Sequence, residues 1–148
     1  MDASTDQTRS PDVQIAGFSL WVFGREFEDV NDDWDGNWLR VFARCSAERS
    51  TVEAKGAIIH ASELARWLKE LRESYFSLNG EAVLACMEPY ISGKIWLKDG
   101  RGEFILNITP DHLFQEHRFT FQIDQSYLRE LIFGLEDVLK RFPVRNNS

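Results

Sequence analysis

The chain has 148 residues, a formal net charge of −7, 43% hydrophobic and 13% aromatic residues, and two cysteines. That length fits a single domain whose core needs neither metal nor disulfide. No run approaches the roughly 18 apolar residues of a membrane span, and the polar start MDASTDQTRSPD has no apolar signal region, so the protein reads as cytoplasmic.

Residues 1–12 lack apolar periodicity and read as a disordered tail, 13–145 as one α+β domain, and 146–148 as a short second tail. Ile15 to Phe23 alternates as a strand, with Phe18, Leu20 and Val22 on one face and Trp21 and Phe23 on the other. An acidic loop follows. Residues 24–36 carry Glu26, Glu28, Asp29, Asp32, Asp33 and Asp35 against Arg25, a net of −5, and residues 1–12 carry a net of −2. The rest balances at fifteen acids against fifteen bases, so one loop and one tail hold the whole net charge.

Trp38 to Cys45 reads as the second strand and Val52 to Ile59 as the third. The period then changes from 2 to 3.6: Leu64, Trp67, Leu68 and Leu71 make a helical core stripe behind Ser62 as N-cap. A strand from about Val83 to Leu97, interrupted at Pro89, is followed by the turn Asp99-Gly100-Arg101-Gly102 and a return strand to Ile108. Arg118 to Ile123 alternates again. A last helix from Asp124 or Ser126 carries Leu128, Leu131, Ile132, Leu135 and Leu139 and stops before Pro143. The order is βββα–βββα. Short connections favour a twisted, mostly antiparallel sheet of about six strands with both helices on one face.

Chemistry is sparse. His60, His112 and His117 lack metal-ligand spacing, and no phosphate, dinucleotide or nucleophile-elbow motif occurs. No cofactor is expected. Asn31 to Gly36 starts like a calcium loop, but Phe42 stands where the closing glutamate belongs. Cys45 and Cys86 sit in apolar runs, which favour inert, protonated thiols over a cysteine–histidine dyad. Glu88 before Pro89 marks a break in the strand, with a buried general acid as the sharper alternative. Trp38, Arg40, Phe42 and Arg44 form an aromatic–basic ladder. Such a ladder suits single-stranded nucleic acid, but a cation–π ladder on one sheet face is the alternative. The body has no net positive charge and the acidic segments repel phosphate, so no direct nucleic-acid partner is expected.

A charge run is commonly only a solvated loop. This one also holds Trp34, with Phe27 and Trp38 close by, and aromatic anchors ringed by one charge sign suit a protein interface. Glu26, Glu28, Asp29, Asp32, Asp33, Trp34 and Asp35 are therefore the candidate contact residues for a basic protein partner of a non-catalytic monomer or weak dimer. The alternative is a ligand- or partner-binding module using the Trp38/Arg40/Phe42/Arg44 sheet face.

Three features carry a resemblance. They are Asp33-Trp34-Asp35-Gly36-Asn37-Trp38-Leu39 after an aromatic first strand, the Glu88-Pro89 strand, and a last helix ending in Arg141-Phe142-Pro143-Val144-Arg145. Together, over about residues 14–145, they resemble the WapI family of bacterial immunity proteins. The resemblance implies a protein that binds and neutralises a toxin domain, typically a nuclease. It also implies that an acidic surface would match a basic active site. The motif residues Trp34, Asp35, Asn37, Trp38 and Glu88-Pro89 are alternatively markers of the fold and not of the interface, with Asp35 and Asn37 candidates for organising the turn into the second strand.

Overall fold

The alternating stretches form strands and the two 3.6-period stretches form helices in the computed structural model, which describes residues 9–146. β1 (Val13–Ile15), β2 (Phe18–Arg25), β3 (Trp38–Ala47) and β4 (Ser50–His60) make one antiparallel sheet in that order. Helix α1 (Ala61–Ser77) leads into a second antiparallel sheet of β5 (Gly80–Leu84), β6 (Ile91–Lys98), β7 (Arg101–Ile108) and β8 (Arg118–Asp124), and α2 (Ser126–Arg141) follows.

The α+β class and the antiparallel pairing hold. The expectation of about six strands in one sheet does not: the described residues form eight strands in two four-stranded sheets, ordered ββββα–ββββα. Each half begins with a strand that the hydrophobic pattern hid. Ile15 to Phe23 is two strands, because Ala16 takes a left-handed φ of 51° and turns β1 back onto β2. Val83 to Leu97 is likewise a hairpin, in which β5 pairs with β6 across the bend at residues 85–90. The first helix also differs at its start. Its N-cap is His60 and not Ser62, because Glu63 three residues on accepts the His60 N–H at 2.8 Å.

With no single sheet to lie on, the helices pack against each other, bridged at the surface by Arg72 and Glu136 at 2.9 Å. Each also runs beside an edge strand of the other half, α1 by β5 and α2 by β1. Gly134 permits the second approach, since a Cβ there would stand 2.5 Å from the Asp12 carbonyl oxygen. Between the sheets the inward rows meet, with Phe18 edge-on to Phe104 at 6.2 Å. These rows and the stripes of both helices form one continuous core.

Residues 1–8 of the expected tail lie outside the described residues. Arg9 to Asp12 run along β2, where the Trp21 indole donates to the Arg9 carbonyl and Asp12 accepts the Val22 N–H. Among the described residues no helix is long and apolar enough to cross a membrane.

Burial pushes both thiols up to about 12, Cys86 with help from the Glu63 carboxylate beside it. A raised pKa leaves a thiol protonated at neutral pH. We expect neither cysteine to react with a disulfide reagent in the native protein at about pH 8, and both to react in denaturant. Rapid modification of the folded protein is the contrary result.

Candidate functional site

The acidic loop, residues 26–37, is built from its base upward. Arg25 at the end of β2 is buried, donating Nη1 to the Gly36 carbonyl at 2.7 Å and Nη2 to the Pro143 carbonyl at 2.5 Å. Arg145 donates Nη1 to the carbonyls of Val30 at 2.8 Å and Glu28 at 3.1 Å. Asn37 is fully buried and pairs its side-chain amide with the Arg145 backbone in both directions, at 2.9 and 2.7 Å. Gly36 is required where the loop closes, since a Cβ would stand 2.3 Å from the Val30 carbonyl oxygen. The chain end after α2 thus locks the loop, and both guanidinium groups are bonded to carbonyls rather than carboxylates.

That anchoring sorts the candidate contact residues. Asp32 builds the loop: its carboxylate accepts the N–H groups of Gly36 at 2.9 Å and Trp34 at 3.0 Å. Those bonds, Gly36 first, hold its pKa below the usual carboxylate range. Glu26 reaches Arg40 at 3.9 Å, and Glu28 lies in the field of Arg25. Asp29, Asp33 and Asp35 are exposed, and their side chains have no hydrogen-bond or ion-pair partner among the described residues. Within the motif, Asn37 is structural and the Asp35 side chain is free.

Trp34 is half-exposed and presents its ring edge-on to Trp38 at 6.0 Å and tilted over His60 at 5.2 Å. The His60 ring also meets Trp38 at 5.0 Å, and its Nε2 lies 2.8 Å from the Trp34 carbonyl. A carbonyl only accepts, so Nε2 donates to it, while Nδ1 lies 2.5 Å from the Ser62 hydroxyl. Behind this ring trio, Glu63 spans two loops, bonding the His60 N–H with one oxygen and the Met87 N–H at 2.7 Å with the other.

Sequence reasoning missed Arg25, His60, Glu63 and Arg145 as supports of the loop. The His60–Glu63 spacing at a strand-to-helix junction is a capping signature that was there to read. Arg145 had no such signal, because its partner Asn37 is 108 residues away in sequence.

The Trp38–Arg44 ladder is broken up. Phe42 is buried against Trp21 at 5.6 Å, and Arg44 lies over both rings and pairs with Glu53 at 2.9 Å. Trp38 belongs to the His60 cluster. Only Arg40 faces an open groove of about 750 Å³, shared with Arg9, Lys55, Arg141 and Glu26. A second cleft of about 740 Å³ holds Glu88 with His112, His117 and Arg118. There His112 rests on Tyr90 at 5.4 Å and His117 bonds Gln115 at 2.9 Å, so neither ring is joined to Glu88. No three His, Cys, Asp or Glu side chains converge as metal ligands among the described residues.

These features define a small two-sheet α+β protein that presents a preformed acidic loop with a tryptophan at its crest. The model of the WapI-like immunity protein family matches residues 11–143, nearly the whole chain. The chain belongs to that family. No curated protein and no solved structure matches it.

Proposed function

We propose that this protein neutralises a basic toxin domain, of nuclease type, by stoichiometric binding through the loop at residues 26–35. Family membership supports a toxin-neutralising role and a protein partner. The observation that carries the choice of surface is that Asp29, Asp33 and Asp35 have no side-chain partner among the described residues, on a loop whose two anchoring arginines, Arg25 and Arg145, are bonded to backbone carbonyls. A rigid loop with free carboxylates keeps its field for a partner and loses little entropy when it docks. Immunity proteins of this kind act by occupying a toxin, so no catalytic step is assigned to this chain.

The test is growth rescue. Where a toxin domain is encoded immediately upstream of this gene, it is expressed in susceptible cells, with and without the protein. Restored growth together with a one-to-one complex supports the reading. Continued killing with no complex rules it out. The second reading, a binding module on the β3 face, now rests on the groove beside Arg40 alone. Retained rescue by the acid-reversed loop and loss of rescue by Arg40→Glu would favour it.

A further inference from the structure

We infer that the partner surface is bipartite, with the Leu113-Phe114 tip of the β7–β8 loop as a second, apolar anchor for the same basic protein domain. This inference rests on the function proposed above. Leu113 and Phe114 are 73% and 85% exposed, two adjacent large apolar side chains held in water. Water penalises such exposure, and the neighbouring chain does nothing to relieve it. The other strongly exposed rings lie singly on helices: Phe133 lies beneath Arg129 at 5.6 Å, and Phe76 rests on Tyr75 at 5.6 Å.

The tip is also not slack. Thr109 N–H bonds the Tyr90 carbonyl at 2.9 Å, and the Asp111 carbonyl accepts the N–H of Gln115 at 2.9 Å. The Asp111 carboxylate accepts the Leu113 N–H at 3.1 Å, as the Asp32 carboxylate accepts that of Trp34 at 3.0 Å. In each loop an aspartate turn presents an apolar side chain two residues ahead. Apolar anchors held in place before binding gain affinity, because little ordering is left to do.

The two loops are joined by the segment between β5 and β6. Trp34 leads through His60 and Glu63 to Met87, which is 54% exposed. From there the second cleft runs to His112, seated on Tyr90, one residue before the tip. The charge is complementary to the same partner. Residues 85–92 and 109–117 hold Glu88, Asp111 and Glu116 and no lysine or arginine, and Arg118 is the one lysine or arginine among the residues that line the cleft. Like the first loop, this one sets apolar groups among carboxylates. In such a surface the carboxylates steer a basic partner and the buried apolar groups hold it.

Two measurements on the full protein with the upstream-encoded toxin domain test this. Amide exchange of the complex should show protection at both residues 27–37 and 110–117. The double variant Leu113→Ser/Phe114→Ser should weaken binding about 100-fold, almost wholly through faster dissociation, with association within about twofold of the parent. Both side chains are exposed, so its urea midpoint should match the parent's and exclude misfolding. Protection confined to residues 27–37, or an unchanged dissociation rate, overturns the second anchor and leaves the proposed function standing. Absence of any complex with the parent protein overturns the proposed function, and this inference with it.

Discussion

Reversing Asp29, Asp33 and Asp35 to lysine together is expected to slow association with a basic partner at least about tenfold at low salt, leaving dissociation nearly unchanged. The three reversals change the charge of residues 24–36 by six, from −5 to +1. The cluster then repels what it attracted. Exposed charges act over roughly 10 Å at about 0.1 M salt, so the parent's association rate should fall steeply with added salt and the variant's should not. Stopped-flow association over a salt series reads both effects. Asp32 is left intact because its carboxylate accepts the Trp34 and Gly36 N–H groups. Changing it would confound loop shape with charge. An unchanged on-rate and unchanged salt slope would remove the loop from the steering surface.

The second large effect concerns the loop's base. Arg25→Ala should cost about 3 kcal/mol of stability, because charge-assisted hydrogen bonds contribute about 1.5–3 kcal/mol each and their loss leaves acceptors unmet. The guanidinium is buried and bonds carbonyls in two segments, Gly36 in the loop and Pro143 past α2. Burial and the neighbouring Arg145 lower its pKa, Glu28 opposes them, and a guanidinium in any case stays charged. Urea unfolding should show a lower midpoint with an unchanged slope. Binding should weaken too, since residues 26–37 lose one of their anchors. A stability loss below about 0.5 kcal/mol would show that water replaces these bonds without cost.

Much of this architecture was readable residue by residue. Leu64, Trp67, Leu68 and Leu71 are all buried, as the 3.6 spacing required, and Phe119 and Ile123 lie inward as alternation required. Periodicity is a local signal, set by the geometry of one element. Strand ends depend on weaker cues. Ala16-Gly17 sits inside an apolar run, so the pattern passed over that turn. At residues 85–90 Pro89 marked the break but not the reversal of the chain, and with the two hairpins went the separation into two sheets. The Trp38–Arg44 ladder shows the same limit. Alternation placed its members on one face, but packing by Trp21 and His60 divided them between different neighbours.

The loop itself divides along that line. Its charge, its tryptophan and its place between two strands are properties of residues 24–38 alone. Composition therefore determined that an acidic, aromatic-bearing segment exists and what sign of partner it favours. Which carboxylates are free was decided only by the fold. Asp32 turned inward to the Trp34 and Gly36 N–H groups, while Asp29, Asp33 and Asp35 stayed outside. What holds the loop rigid comes from Arg145 and Pro143, more than a hundred residues away. Charge is carried by each side chain wherever it lies, whereas a hydrogen bond requires two groups to be brought together, and only the tertiary structure does that.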